Sequence, residues 1–382
     1  MKILTVFGTR PEAIKMIPVV RALQAEPSVE VEVCVTGQHR QMLDQVLELF
    51  AVKPDYDLNV MKSSQGLTST TCSILTGLEG VLKESRPARV LVHGDTATAL
   101  AASIAAYYQG IRVGHVEAGL RSGDNYQPWP EEVNRRVVDV ISDHFYAPTA
   151  QARDNLLAEN IPASRIHVTG NTVIDALFAT LRLIEGDATL RGQLEQRFAF
   201  LKPGRKLLLV TGHRRENFGA AFKDMCAAIG ALAAAHDIDV VYPVHLNPEV
   251  QRPVHAILGN RPNVHLIAPL DYLPFVYLMN RAEVILTDSG GIQEEAPSLG
   301  KPVFVMRNVT ERPEAIASGA ARLVGTDPAR IVANVGEVLT NSAAYAAMSG
   351  KRNPYGDGHA ATRIARIIAG HRTEIETREV AQ

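Results

Sequence analysis

The sequence predicts an α/β fold of two Rossmann-like domains, each a parallel sheet covered by helices on both faces. Short β-rich runs alternate with longer helix-like segments from one end of the chain to the other, and the same winding occurs twice. The length of 382 residues also exceeds the roughly 250–300 residues at which one core stops growing. We therefore expect a first domain at 1–170, a second at 171–358 and a central cleft between them, with a last helix at about 359–372 packing back on the first domain.

Each predicted strand is a short apolar run that precedes a turn and a helical pattern. In the first domain these runs are Lys2–Phe7, Val29–Thr36, Arg89–His93, Arg112–Val116, His144–Ala147 and Arg165–Val168. In the second domain they are Lys206–Thr211, Val240–Pro243, Val264–Ile267, Val284–Thr287, Pro302–Met306 and Ala321–Val324. The long helical stretch Thr172–Phe200 interrupts the alternation, so we place the domain boundary near Gly170.

The composition is that of a globular protein, with 46% hydrophobic and 21% charged residues and a formal net charge of −2. This balance argues against a general nucleic-acid binder or a membrane-surface protein. No apolar run reaches the ~18 residues that a membrane span needs, and the first apolar region contains charged residues, so we expect no export signal. Three scattered cysteines predict a reducing compartment and no metal site, namely Cys34, Cys72 and Cys226.

A first polar cluster, Gly8–Lys15, follows the first strand and opens a helix. Gly8 allows a tight turn, free amides at the helix start suit an anion, and Arg10 and Lys15 add full charges. The cluster therefore predicts a phosphate site. The alternative is a capped helix whose basic side chains are solvated.

A second cluster, Asp288–Pro297, lies at another turn from strand to helix. Gly290 and Gly291 let the backbone approach a diphosphate, the Ser289 hydroxyl can donate to it, and Glu295 lies about a helical turn later, where a ribose diol could meet it. No GK[ST] follows and the dinucleotide spacing is absent, so neither a Walker loop nor a bound NAD is predicted. The alternative is a glycine hinge that caps a helix.

A third cluster, Thr211–Asn217, follows the first strand of the second domain. His213, Arg214 and Arg215 could contact phosphate there. We expect one of the two arginines to form a structural ion pair instead, with Glu216 or Glu311.

Three acids of the first domain suit general acid/base chemistry, namely Asp95, Glu117 and Glu131. The first two end neighbouring strands, and the third opens a helix after Pro128-Trp129-Pro130. Mutual repulsion and partial burial should raise the pKa of at least one of them. For Glu131 the alternative is helix capping, because the helix dipole favours an acid at that position.

Other polar residues are weaker candidates. His39, His93 and His115 are each more readily explained as hydrogen-bonded packing residues than as catalysts, whereas His245 follows a strand and is a stronger candidate. Trp129 is either a lid or a packed loop anchor. The turn cluster Asn353–Gly358 would let the final helix cross back onto the first domain.

These clusters, in this order, resemble the non-hydrolysing UDP-N-acetylglucosamine 2-epimerases of bacteria. The resemblance covers nearly the whole chain through FGTRPEAIKM, VHGDT, GHVEAGLRSGD, PWPEEVNR, TGNTVIDAL, TGHRREN, YPVHLNP, LTDSGGIQEEAPSLGKPV, TERPEA and NPYGDG. It implies a glycosyltransferase-B-type architecture, a homodimer, and interconversion of UDP-GlcNAc and UDP-ManNAc in the cytoplasm for polysaccharide or cell-envelope precursors. The family reaction proceeds through 2-acetamidoglucal and needs no cofactor.

The resemblance also implies roles for individual residues. The catalytic residues would be Asp95, Glu117, Glu131 and His213. The substrate-binding residues would be Arg10, Lys15, Arg135, Leu270, Tyr272, Phe275, Ser289, Gly290, Gly291, Glu295 and Arg312, with the Leu270–Phe275 segment at the uracil. A second UDP-GlcNAc, acting as an activator, would meet Gln38, Gln41, Arg214 and His245, although Ser73 stands where the family commonly has a basic residue.

Three other functions remain open on the sequence. A glycosyltransferase of the same fold would release UDP only in the presence of an acceptor. A hydrolysing relative would yield free ManNAc and UDP. A nucleotide-sugar sensor would have no use for the acidic cluster. No nucleic-acid or membrane partner is expected.

Overall fold

The structure of the chain is a computed structural model that describes residues 1–38, 40–61 and 66–371, so that His39 lies outside the described residues. It contains two compact units, Met1–Phe178 with the chain from Tyr355 onward, and Ala179–Pro354. The division falls inside the helix Thr172–Gly186 rather than at Gly170. Asp175, in the first turn of that helix, explains this, because its carboxylate accepts hydrogen bonds from the amides of Ala360 and Ala361 at 3.2 and 2.9 Å.

The first unit is built on a parallel sheet of seven strands in the order β3-β2-β1-β4-β5-β6-β7. Its strands are β1 Lys2–Phe7, β2 Glu30–Val35, β3 Tyr56–Asp57, β4 Arg89–His93, β5 Arg112–Val116, β6 His144–Ala147 and β7 Ile166–Val168. Its helices are α1 Arg10–Gln24, α2 Arg40–Leu49, α3 Leu67–Ser85, α4 Ala97–Tyr108, α5 Glu131–Ile141, α6 Ala150–Ala158 and the start of α7 Thr172–Gly186, with α16 Ala360–Ile368 near the end of the chain.

The second unit is built on a parallel sheet of six strands in the order β10-β9-β8-β11-β12-β13. Its strands are β8 Lys206–Thr211, β9 Ile238–Pro243, β10 Val264–Ile267, β11 Val284–Thr287, β12 Val303–Val305 and β13 Ala321–Leu323. Its helices after α7 are α8 Ala188–Arg197, α9 Ala220–Ala235, α10 Pro248–Leu258, α11 Tyr272–Arg281, α12 Gly290–Glu295, α13 Pro313–Ala317, α14 Pro328–Thr340 and α15 Ser342–Ser349.

The predicted α/β fold class with two parallel sheets is confirmed. All twelve predicted strands are present, with ends that differ by one or two residues. The two-residue strand β3 was not predicted, because two residues are too short to carry a period. The predicted helical stretch Thr172–Phe200 divides at Asp187, whose side chain caps α8 by accepting from the amides of Thr189 and Leu190 at 2.9 and 3.0 Å.

The strand order determines where polar side chains collect. In each sheet the first strand of the unit lies beside the strand that reverses the winding, β1 beside β4 and β8 beside β11. Loops leave such a pair in opposite directions, which opens a crevice at the carboxyl ends of the strands. The described part of the chain contains no helix long and apolar enough to cross a membrane.

Candidate active site

The first unit has a pocket of about 440 Å³ beyond the carboxyl ends of β1 and β4. Two of the predicted acids, Asp95 and Glu131, line it together with the predicted ligand Arg10 and with Gln38. The other lining residues are Thr9, Pro11, Met42, Leu67, Thr96, Ala97, Pro130 and Asn134. The pocket thus collects side chains from five places in the sequence at the switch point of the sheet.

Asp95 is held in this pocket by the helix α5. Its Oδ2 accepts from the Arg135 guanidinium at 2.5 Å, and its backbone carbonyl accepts from Asn134 Nδ2 at 2.8 Å. Arg135 also lies 3.4 Å from a carboxylate oxygen of the buried Glu132. Arg135, predicted as a substrate ligand, is therefore committed to two carboxylates of its own unit, and it orients Asp95.

Glu131 is the first residue of α5 and follows Pro130, which provides no side-chain cap. Its Oε2 is buried and accepts no hydrogen bond from the described residues. The alternative interpretation of Glu131, that it only caps the helix, does not account for this oxygen. An acid oxygen without a protein partner in a pocket is available to a ligand.

Glu117 follows β5 and lies in the left-handed region of backbone conformation, at φ +66°. A non-glycine residue held there stores strain of about 1–3 kcal/mol. Its side chain is buried, and its Oε2 accepts from Lys15 Nζ, with which it forms an ion pair, and from Asn171 Nδ2 at 2.9 Å. His93 Nε2 lies 3.6 Å from the same oxygen.

The pKa of Glu117 is shifted in the direction opposite to the one expected for the acidic cluster. Burial by itself raises this pKa, but the charges of Lys15 and His93 and the hydrogen bond from Lys15 outweigh burial and hold it well below its usual value. The carboxyl is therefore ionised at neutral pH. The prediction treated the acids as neighbours of one another and did not foresee that two basic residues converge on one of them.

The expectation of free amides at the start of α1 is wrong. The Glu12 carboxylate accepts from the amides of Gly8 and Thr9 at 3.1 and 2.8 Å and from the Thr9 hydroxyl at 2.8 Å, and Thr9 caps the helix in return. A buried carboxylate therefore already occupies the anion position of this turn. Thr96, which caps α4, also donates to Glu12 at 2.7 Å, so the two turns of the switch point are joined. The basic residue of this turn that lines the pocket is Arg10.

In the second unit the start of α12 is open. Ser289 is the N-cap residue, but no side chain caps the helix. A Cβ atom on Gly290 would lie 3.9 Å from guanidinium atoms of both Arg214 and Arg312. Arg312 is also bound to Glu294. Uncapped amides and two guanidinium groups beside a residue without a side chain are suited to a diphosphate.

The turn after β8 is held by Asp288, which ends β11. Its Oδ2 accepts from the amides of His213 and Arg214, each at 2.8 Å, and its Oδ1 is buried without a partner in the described residues, 3.9 Å from His213 Nδ1. The His213 ring stacks on His245, with centroids 5.1 Å apart. Burial lowers the pKa of His213, against the opposing effect of Asp288, so that the imidazole is neutral at pH 7.

The expected ion pair of Arg214 or Arg215 with Glu216 or Glu311 is wrong. Both carboxylates bind Arg307 instead, Glu216 at 2.6 Å and Glu311 at 2.7 and 3.1 Å. Arg307 follows β12 and is buried, and its planar fork can serve both acids at once. Arg214 is thereby left for the region of Gly290.

Glu295, at the end of α12, is buried and accepts a hydrogen bond from the Tyr272 hydroxyl at 2.8 Å. Burial and this carboxylate raise the pKa of Tyr272 well above its usual value, so the phenol keeps its proton. Leu270 and Phe275, at the start of α11, are half-buried. The predicted uracil segment and the predicted ribose ligand therefore lie together.

The remaining candidates fall into three groups. His115 is fully buried between the Asp139 carboxylate at 2.6 Å and the Gly94 carbonyl at 2.8 Å, as a packing histidine should be. Trp129 is 64% exposed, which excludes a packed anchor. Among the residues predicted for the activator, Gln38 accepts a hydrogen bond from Thr98 at 3.2 Å, and Gln41 and His245 are exposed. Ser73 donates a hydrogen bond to the Ser69 carbonyl. Within Asn353–Gly358, the Tyr355 carbonyl accepts a hydrogen bond from the Asn171 amide at 2.7 Å.

Sequence reasoning missed the residues that hold the site together, namely Glu12, Asn171, Asp288 and Arg307. Each of these residues lies within a few residues of a strand end, and this position was the feature from which the sequence could have predicted a role in the site. Their hydrogen-bond partners are far away in the sequence, so the sequence could not predict which residues pair.

The comparisons with known proteins point to one family over nearly the whole length of the chain. The family model for UDP-N-acetylglucosamine 2-epimerase matches residues 21–369. A UDP-N-acetylglucosamine 2-epimerase of Escherichia coli O157:H7 is 57% identical over 376 residues, which cover 98% of this chain and 100% of that protein.

Solved structures give the same result. The crystal structure of UDP-GlcNAc 2-epimerase from Neisseria meningitidis bound to UDP-GlcNAc is similar with a TM-score of 0.89 and 50% identity, covering 97% of this chain and 100% of that one. MurG of Acinetobacter baumannii, at 15% identity and a TM-score of 0.58, shares the fold alone. On the family match and the full-length identity together, this chain belongs to the UDP-N-acetylglucosamine 2-epimerase family.

Proposed function

We propose that this protein reversibly inverts carbon 2 of the sugar of UDP-GlcNAc to give UDP-ManNAc, and that it does not hydrolyse the product. The observation that carries the proposal is the 57% identity to an epimerase over 98% of the chain, which spans every strand end described above. The chemistry of the two groups of polar residues supports it.

The reaction that we propose is an elimination followed by an addition. A base removes the proton from C2, the C1–O bond breaks, and UDP leaves with the bonding electron pair, which gives 2-acetamidoglucal. The UDP oxygen then attacks C1, and C2 takes a proton on the opposite face. Atoms and electrons balance over the two steps, so the reaction requires no cofactor.

Asp95, Glu117 and Glu131 would exchange the protons. Glu117 fits the base that removes the C2 proton, because Lys15 and His93 keep it ionised at neutral pH. Asp95, oriented by Arg135, and Glu131, with its unpartnered oxygen, line one pocket. An acid on each side of the sugar ring is what inversion at C2 demands.

The second unit would bind the nucleotide. Ser289, Gly290 and Gly291 would bind the diphosphate through open amides, with the charge of Arg312 added. Glu295 and Tyr272 would meet the ribose, and Leu270 and Phe275 the uracil. His213, as a neutral imidazole, would donate its N–H to the departing diphosphate.

An activating second UDP-GlcNAc is part of the proposal. Gln38 lines the same pocket as Asp95, and His245 stacks on His213. With Gln41 and Arg214, these are the residues that the family resemblance implies for the activator. We further propose a homodimer that acts in the cytoplasm on precursors of polysaccharides, as the family resemblance implies.

Isotope exchange tests the proposal against its rivals. The protein is incubated with UDP-GlcNAc in deuterated water, and the sugar is followed by NMR. Epimerisation predicts UDP-ManNAc and recovered UDP-GlcNAc with deuterium at C2. Free ManNAc with UDP would indicate hydrolysis, and a substrate that stays unlabelled would indicate a transferase or a sensor.

A further inference from the structure

His93, the last residue of β4, is a buried polar side chain without a hydrogen-bond partner. It is 4% exposed, and neither ring nitrogen is bonded to any described residue. A buried imidazole that makes no hydrogen bond is destabilising, so a packing role does not account for it. His115, one strand away, shows the contrast, because both of its ring nitrogens are bonded.

The surroundings of His93 are charged from two elements. From α1 come Lys15, which pairs with Glu117, and Glu12, whose pKa is raised by burial against the opposing effects of Thr96, Thr9 and His93. From the end of β5 comes Glu117, whose Oε2 is 3.6 Å from His93 Nε2. This separation is too long for a hydrogen bond and short enough for a strong charge interaction.

The contacts of Glu117 are divided unequally between its two oxygens. Lys15, Asn171 and His93 all lie at Oε2. Oε1 faces Gly94, where an added Cβ would be 3.9 Å away, and Gly94 precedes the pocket residue Asp95. The carboxylate is thus anchored through Oε2, while Oε1 faces the backbone of Gly94.

We propose that His93 is a positioning residue for Glu117, whose imidazole beside Oε2 keeps the carboxylate ionised and leaves Oε1 as the oxygen that exchanges protons. The proton-transfer part of this inference rests on the proposed epimerisation, whereas the effect on ionisation does not. Lys15 approaches Oε2 from α1, and His93 approaches the same oxygen from the end of β4. Removing the imidazole takes away one of the two side chains that lower the pKa of the buried Glu117 carboxyl, so the carboxyl should hold its proton to higher pH.

The test is the substitution His93→Gln. The glutamine side chain is similar in size and polarity to that of histidine but has no imidazole. With ¹³C-labelled glutamate, the Glu117 carboxyl is assigned by its loss in Glu117→Gln and then titrated. We expect its titration midpoint in His93→Gln to rise by one pH unit or more. The acidic limb of kcat/KM should move upward by the same amount, with KM for UDP-GlcNAc nearly unchanged.

His144→Gln is the matched control. His144 begins β6, two strands from β4 in the sheet, and burial together with Arg89 lowers its pKa to about 4, so it is uncharged in the assay. This variant should leave both the Glu117 titration and the acidic limb in place. A shift of equal size in His144→Gln would overturn the inference, because the effect would then be general.

An unchanged Glu117 titration in folded His93→Gln would also overturn the inference. If that variant does not fold, His93→Asn, which also removes the imidazole, takes its place in the same experiment, and an unchanged Glu117 titration there counts against the proposal. Absence of deuterium from the substrate of the wild type would sink the proposed function while leaving the titration result intact.

Discussion

The two units use the same turn of the fold in opposite ways. Beyond β4 the chain places Asp95 and then Thr96, whose hydroxyl caps α4 by accepting from the Ala99 amide at 3.1 Å. Beyond β11, the corresponding strand of the other sheet, it places Ser289 and Gly290, and no side chain caps the helix. One turn presents an acid in front of a closed helix end, and the other presents open amides without a side chain in the way.

The turns after the first strand of each unit are alike in being closed. Glu12 satisfies the amides after β1, and Asp288 those after β8. In each case a buried carboxylate braces the turn against its neighbour at the switch point. The comparison teaches that the winding of the sheet sets where polar residues collect, while the residue beside the helix start decides whether the helix is capped or left open.

The largest effect is expected at Glu117. Glu117→Gln should lower deuterium exchange at C2 by about 10³-fold, because a neutral amide cannot take the proton, and leave UDP binding nearly intact. NMR exchange rates and calorimetric titration with UDP measure the two. The double variant Lys15→Met/Glu117→Gln is the control for the loss of the ion pair between Lys15 and Glu117. It should recover the stability of the fold without recovering deuterium exchange. Loss of UDP binding along with exchange would make Glu117 structural.

Removing the Glu12 carboxylate, which accepts the hydrogen bonds of the turn after β1, should mainly lower the stability of the protein. Glu12→Ala leaves two buried amides and two hydroxyls without their acceptor, which should lower the free energy of unfolding by about 3 kcal/mol and Tm by roughly 5–10 °C. Circular dichroism during heating measures this. Glu84→Ala, at an exposed position of α3, should change Tm little. An unchanged Tm in Glu12→Ala would show that the brace contributes nothing.

Closing the open turn of the second unit should mainly cost affinity. Gly290→Ala has room to fold, since the new methyl group lies 3.9 Å from the nearest side-chain atoms, but it projects where a diphosphate would approach the amides. We expect the Kd for UDP to rise about ten-fold or more. Gly192→Ala, on the exposed face of α8 with open space around it, is the control and should bind UDP normally. Equal affinity in both variants would remove the diphosphate from this turn.

The smallest effect concerns the helix end that Asp175 closes. Burial raises the pKa of Asp175 to about 6, above the ~3.9 of an unfolded aspartate, so folding is favoured by its protonated form. Relative to Asp175→Asn, the wild type should therefore be most stable near pH 4 and lose about 1–2 kcal/mol as the pH rises through 6. The Tm difference between the two proteins, measured from pH 5 to 8, checks the slope. A difference that does not change with pH would contradict the raised pKa.

The sequence by itself determined the class of fold, the positions of the strands and the clusters that follow them. These are local properties, since a strand is read from a run of apolar residues and a turn from its glycines and polar residues. The family resemblance was likewise readable, because it lies in the order of the motifs along the chain.

Only the tertiary structure decided which charges meet. The separation in the chain is 102 residues between Lys15 and Glu117, 40 residues between Arg135 and Asp95, and 91 residues between Arg307 and Glu216. No local pattern links such partners, and the pKa of Glu117 depends on them as well as on its burial. For that reason the sequence predicted a raised pKa for at least one of the three acids, whereas the fold brings Lys15 and His93 to Glu117 and lowers its pKa.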